Sequence, residues 1–260
     1  MGYKCLLYEV KEHIAFITLN RPEKLNALTK VFWKEIRQAL EVGEQDEKVD
    51  VHIIIGNGRS FCAGDDIGVL TQLQSLADAE DLFLGCIYGL VDAIIHLQKP
   101  LISAVNGFAY GGGCELVLLS DLAVASEKAT FALPEGRIGA FPAIFSVFGP
   151  VVMGFKASNE LTLLGTPISA QRAVACGLVS RVVPHDKLLV EAVRMAKHIM
   201  EASQVSQKII RETSSRILGD HLYDFWICCQ RFAREVANTN DFIEGATAFV
   251  EKRTPKFIGN

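Results

Sequence analysis

The sequence lacks the marks of several protein classes. It has seven cysteines, at positions 5, 62, 86, 114, 176, 228 and 229, but no Cys-x-x-Cys pair. The number is odd, and the neighbours Cys228 and Cys229 cannot readily bridge each other. Free thiols in a reducing intracellular compartment, the cytoplasm, are therefore expected. The six histidines include no His-x-x-x-His pair and join no Cys/His cluster, so no metal site is expected. No apolar run reaches about 18 residues without a charge or a break, which argues against a membrane span. No apolar h-region opens the chain, so no targeting leader is expected. Positive charge is not in excess: 26 Lys and Arg stand against 30 Asp and Glu, for a net charge of −4. Bulk nucleic-acid binding usually needs a basic face and is not expected. A local basic patch for one phosphorylated ligand remains allowed.

What is present is a chain of 260 residues, 50% hydrophobic and 22% charged, with 21 glycines. That length buries a substantial core without disulfides. Cys5–Val10 and His13–Leu19 read as strands joined by a turn at Lys11-Glu12. Thr29 opens a helical pattern in which Phe32, Ile36, Ala39 and Leu40 share a face. Val51–Ile55, Leu101–Val105 and Leu122–Ser126 are short buried-strand runs, and helical stretches lie between them. This alternation predicts an α/β fold with a largely parallel sheet. From about residue 185 the chain reads as helix, and Asp241-x-x-Glu244 reads as a capping box for the last one. Residues 1–200 form the expected core. Residues 201–260 form a helical region expected to pack on that core or on a neighbouring subunit, since no Pro/Gly/Ser-rich linker separates them.

Chemistry concentrates in two loops. Three consecutive glycines, Gly111-Gly112-Gly113, stand between a predicted strand and a predicted helix that carries Glu115. So bare a backbone exposes N–H groups beside the positive end of a helix, a site for an oxygen that becomes anionic during reaction. The same glycines would also serve tight helix–strand packing. The loop Gly58–Asp66 likewise follows a strand, where open α/β sheets bind ligands, though on its own it reads as an ordinary acidic turn. Two such loops could aim two donors at one oxygen. Glu135 follows Pro134, and with Glu115 it completes a pair of carboxylates that only a fold could join. Cys114, beside Glu115, has no histidine in its motif and reads as packing. The Phe225-Trp226 pair reads as a core or interface contact.

These stretches resemble the crotonase family, the enoyl-CoA hydratase/isomerase superfamily, across nearly the whole chain. Asn20–Leu28 looks like the family's N-terminal signature, Phe61–Asp66 its first oxyanion loop and Val105–Leu116 its second. Asp121–Ala125, Phe131–Glu135, Gly165 through Pro184, and Glu244 through Arg253 continue the likeness. The resemblance implies a crotonase-like spiral of ββα units with a helical C-terminal region, usually assembled as a homotrimer or homohexamer. It implies an acyl-CoA substrate and no separate cofactor, because CoA arrives as part of the substrate. The thioester oxygen would accept from the backbone N–H groups of Asp65 and Gly112. Glu115 and Glu135 would be catalytic, Glu115 activating water and Glu135 carrying the α-carbon proton. Lys24, Leu25, Ala63, Asp66 and Ile67 would lie along CoA, and Lys252 would reach the nucleotide from an adjoining subunit. Both glutamates favour hydration of a 2-enoyl-CoA. An isomerase running on Glu135 alone, or a non-catalytic acyl-CoA- or RNA-binding relative, is the alternative.

The chain departs from the pattern twice. Many hydratases have a small residue where Asp65 stands, and a carboxylate beside a developing oxyanion is unfavourable unless it points away. After Glu135 the usual glycine-rich stretch is replaced by the apolar run Ile138–Pro150. Its phenylalanines Phe141, Phe145 and Phe148 suggest either a greasy acyl pocket or a helix packed on the core.

Overall fold

This computed structural model describes residues 2–73 and 75–260. Leu6–Lys11 (β1) and Ile14–Leu19 (β2) form an antiparallel hairpin. Its turn lies at Glu12 and His13, one residue later than expected. Both have positive φ, 48° and 64°, the geometry that matches the twist of the flanking strands. Lys30–Gln45 (α1) begins where the Thr29 hydroxyl accepts from the Phe32 N–H, satisfying an end group that the helix cannot. It buries the predicted face together with Trp33.

A strand–strand–helix unit then repeats. Val51–Gly56 (β3) and Ser60–Cys62 (β4) lead to Ile67–Leu70 (α2). Beyond it one long helix runs as Leu76–Glu80 (α3), a π-helical stretch Asp81–Tyr88, and Gly89–His96 (α4). Leu101–Val105 (β5) and Phe108–Tyr110 (β6) lead to Gly112–Leu119 (α5). Leu122–Ser126 (β7) and Thr130–Ala132 (β8) lead to Ala143–Met153 (α6) and Phe155–Leu164 (α7). The remainder is Ile168–Ser169 (β9), Ala170–Ala175 (α8), Arg181–Val183 (β10) and Leu188–Met200 (α9). Gln204–Gly219 (α10), Leu222–Arg231 (α11) and Asn240–Glu251 (α12) end the chain.

Each unit gives its first strand to one sheet and its second to another. The larger sheet runs β1-β2-β3-β5-β7-β10 and the smaller β4-β6-β8-β9. Every pairing in the larger sheet after the hairpin is parallel, as are β4-β6 and β6-β8. The sequence reading placed the first strands and missed the second. Strands of two or three residues are too short for a period of two to register.

Alternate residues of the larger sheet feed two cores. Ile53, Ile102 and Val124 pack with Leu188, Ala192 and Met195 of α9, while Ile54, Val105 and Ala125 face the main core. Helix α5 lies inside that core with all eight residues buried. The C-terminal helices pack on the same core, where Phe225 contacts Phe148 and Tyr88. Arg211 of α10 is buried and donates to Asp121 Oδ2 at 2.8 Å, to Ile94 C=O at 2.8 Å and to Leu97 C=O. The Asp241 capping box is not formed. Thr239 caps α12 instead, accepting from the Phe242 N–H. Asp241 accepts from Ile258 and Gly259, and Glu244 pairs with Arg253. Among the described residues, no helix is long and apolar enough to cross a membrane.

Candidate active site

The smaller sheet assembles the site. Because β4, β6 and β8 are parallel neighbours, their C-terminal ends lie at one edge. The segments leaving them carry Ala63–Asp66, Gly111-Gly112 and Pro134-Glu135. Residues far apart in sequence thus meet because their strands run the same way, the usual place for a ligand in an open parallel sheet.

The first two segments touch. Gly64 has φ +91°, and a Cβ on it would lie 2.9 Å from Tyr110 C=O and 3.5 Å from Gly112 N. Leu28 fixes the first segment, donating to Gly64 C=O and accepting from the Asp66 N–H, each at 2.8 Å. That pattern leaves the Asp65 N–H on the side away from Leu28. Neither the Asp65 nor the Gly112 N–H has an acceptor among the described residues. Two free donors from adjacent loops are the arrangement that stabilises an oxyanion.

The two glutamates meet these loops. A Cβ on Gly111 would lie 2.9 Å from Glu135 Oε1, so the carboxyl of Glu135 rests on the glycine turn. Its Oε2 is buried without a hydrogen-bond partner among the described residues. Burial, and then the neighbouring charge of Glu115, push the Glu135 carboxyl well above its ordinary range, since both disfavour the ionised form. Glu115 is the one charged residue of α5 and accepts from the Phe145 N–H at 3.0 Å. Burial outweighs that bond and raises its pKa to about 8. Asp65 is half-buried. It accepts from Trp33 Nε1 at 2.7 Å, and burial raises its carboxyl to about 6.

Both glutamates border a cavity of about 500 Å³, together with Asp65 and Gly111. Lys24, Leu25, Ala63, Asp66 and Ile67 also line it. Gly112 is not itself in the lining, though its neighbour Gly111 is. Lys252 lies outside the lining at the left-handed end of α12, while its neighbour Arg253 lies inside. The run after Glu135 divides. Phe141 and Ile144 line the cavity, whereas Phe145 and Phe148 are fully buried in the core. Cys114 is buried and its thiol is pushed well above the ordinary range, which leaves it inert packing.

Sequence reasoning missed several residues at this site. Arg21 holds Asp66 at 3.2 Å. Asn26, fully buried with φ +58°, donates to the carbonyls of Asn57, Ser60 and Phe61 and so pins the 20–28 segment to β4. Phe83 and Ile87 reach the cavity from the π-helical stretch, a distortion often found at functional sites. Phe232, Phe249 and Pro255 reach it from the C-terminal region. Arg21, Asn26 and Phe249 lie inside stretches that carry the family resemblance, whereas no motif marks Phe83, Ile87, Phe232 or Pro255, which only tertiary packing brings to the cavity.

A family model described as enoyl-CoA hydratase/isomerase matches residues 9–260. A Rhizobium meliloti protein named "Probable enoyl-CoA hydratase" is 36% identical, with 99% of each chain covered. A Dictyostelium discoideum protein named "Probable enoyl-CoA hydratase, mitochondrial" is 36% identical over 95% of this chain and 88% of that one. The crystal structure of an enoyl-CoA hydratase from Mycobacterium avium subsp. paratuberculosis superposes with a TM-score of 0.89 at 29% identity, covering 99% of this chain and 100% of that one. The expected spiral of ββα units, the cavity between the loops and these similarities agree: the chain belongs to the enoyl-CoA hydratase/isomerase family.

Proposed function

We propose that the protein hydrates a 2-enoyl-CoA to the 3-hydroxyacyl-CoA. The observation that carries this reading is that two backbone donors on touching loops, without acceptors among the described residues, adjoin a cavity bordered by two glutamates with raised pKa values. The thioester oxygen accepts from the Asp65 and Gly112 N–H groups. Glu115, acting in its ionised form, takes a proton from water as the water oxygen bonds to C3. The C2–C3 π electrons move toward the thioester, and charge gathers on its oxygen between the two donors. Losing one such donor costs about 2.7–4 kcal/mol of barrier. Glu135, protonated, delivers its proton to C2 and the carbonyl re-forms. A proton then returns from Glu115 to Glu135. Two carboxyls with different affinities for the proton suit an acid and a base in one site.

Hydration changes no net oxidation state, and the glutamates carry the protons, so the reading calls on no metal or redox cofactor. CoA runs past Lys24, Leu25, Ala63, Asp66 and Ile67. Lys252 acts, on this reading, from a neighbouring subunit of a homotrimer or homohexamer. Exposed apolar side chains on α10, among them Val205, Ile209 and Ile210, suit such an assembly. Unpaired thiols at all seven cysteines support a cytoplasmic setting.

The test follows the absorbance of crotonyl-CoA with wild type, Glu115→Gln and Glu135→Gln. Loss of the conjugated-enoyl band in wild type, abolished by either substitution, is expected. No loss with crotonyl-CoA, but a gain of that band from a 3-enoyl-CoA, would make the protein an isomerase.

A further inference from the structure

Asp65 is an acidic residue on the first oxyanion loop whose carboxyl group the hydration scheme leaves unused. It accepts a 2.7 Å hydrogen bond from Trp33 Nε1. Trp33 is fully buried on the first turn of α1, and its own N–H is held by Thr29 C=O at 2.9 Å. The same indole touches the other loop. A Cβ on Gly112 would lie 2.9 Å from Trp33 Cζ2 and 3.1 Å from Cη2. In an indole, Nε1 and Cζ2 are both bonded to Cε2, so they share one edge of one rigid ring. That edge meets the side chain of Asp65 and lies against Gly112, the two residues whose backbone N–H groups have no acceptor among the described residues.

We infer that Trp33 is a positioning residue which, through its bond to Asp65 and its contact with Gly112, sets the spacing of the two oxyanion donors. The inference rests on the reading that those two N–H groups hold the thioester oxygen. A planar ring has no internal rotation to absorb a change in spacing, whereas glycine loops on their own are free to drift. Donors held in advance lose nothing to rearrangement when charge develops. The bond also gives the carboxylate at this position a partner, a charge-assisted hydrogen bond from the indole N–H. Bulk alone would not require an indole. An aliphatic side chain could fill the same core space without donating to Asp65.

The test reads polarisation directly. 4-Dimethylaminocinnamoyl-CoA joins a donor amine to the thioester through conjugation, so its absorption moves to the red when the carbonyl is polarised. Wild type is expected to bind the probe with a clear red shift. Trp33→Phe and Asp65→Leu are expected to bind within about threefold of wild type yet lose more than about half of the shift, because binding does not depend on donor spacing while polarisation does. Asp65→Asn keeps an oxygen for Nε1–H and is expected to restore most of what Asp65→Leu loses. With crotonyl-CoA the Trp33→Phe defect should fall on kcat, about tenfold, with KM within about twofold. A full shift in both Trp33→Phe and Asp65→Leu overturns the inference while leaving the oxyanion reading intact. Wild type that binds the probe without a shift overturns the oxyanion reading, and this inference with it. Should Trp33→Phe fail to fold, the comparison of Asp65→Leu with Asp65→Asn, both with the indole in place, decides: equal shifts overturn the inference.

Discussion

Glu115 Oε1 accepts a 3.0 Å hydrogen bond from the Phe145 N–H, so the first turn of α6 orients the carboxyl proposed to activate water. Glutamine keeps an oxygen for that N–H and gives up only the ionisation. Glu115→Gln should therefore lower kcat by about 10²–10⁴, the usual worth of a general base, while KM stays within about threefold. Steady-state hydration of crotonyl-CoA checks the split. A KM that rises with kcat unchanged would show that Glu115 binds substrate and does not act on water.

The raised carboxyls make stability depend on pH in a definite direction. Burial lifts Glu115 from 4.5 to about 8 and moves Glu135 the same way. Between those values the folded chain holds a proton that the unfolded chain releases. The stabilising contribution is whole below the unfolded pKa and is lost as pH rises to the folded one. Free enzyme should thus melt at a falling temperature from about pH 5 to about pH 8, and Glu115→Gln should flatten that slope. Thermal unfolding across this range measures both. A melting temperature that rises over the same interval in wild type would contradict the burial of neutral carboxyls.

Gly64 is a position where a single methyl would press one oxyanion loop on the other. Its φ of +91° strains any L side chain, and a Cβ there would lie 2.9 Å from Tyr110 C=O and 3.5 Å from the proposed Gly112 donor. Gly64→Ala should cost about 1–3 kcal/mol of stability through the backbone. It should also lower kcat/KM more than about a hundredfold by forcing the donors apart. Denaturant melts and hydration rates separate the two effects. A folded Gly64→Ala with wild-type turnover would show that the loop spacing is irrelevant.

The sequence carried the site more clearly than the architecture that assembles it. The glycine triplet is a local signal, but the 61–66 loop on its own reads as an acidic turn, and Gly112, Glu115 and Glu135 take their roles from the family resemblance. The four-stranded sheet could not be read locally, because Ser60–Cys62, Phe108–Tyr110 and Thr130–Ala132 are too brief to show a period. Trp33 illustrates a second limit. It stands outside the predicted face of α1 yet is fully buried, and nothing local states that its ring edge would meet Asp65 and Gly112. The capping error at Asp241 has a third cause: the pattern was right for a cap, but Thr239 lay two residues nearer the helix start, and the C-terminal segment returned to claim the carboxylate.

The apolar run after Glu135 separates into two roles that mutation can tell apart. Phe141 lines the cavity and its ring lies 5.2 Å from that of Phe232, another lining residue. Phe148 is fully buried, against Phe225 at 5.5 Å. Phe141→Ala enlarges the space beside the acyl group and leaves the core whole, so it should shift the ratio of kcat/KM values toward longer enoyl chains by about tenfold. Phe148→Ala should instead cost about 3–5 kcal/mol of stability and leave that ratio unchanged. Chain-length series for both variants, alongside denaturant melts, make the comparison. Equal effects of the two substitutions on specificity would mean that the whole run forms the acyl wall; no effect from Phe141→Ala would place the acyl tail elsewhere in the cavity, toward Phe83 and Ile87.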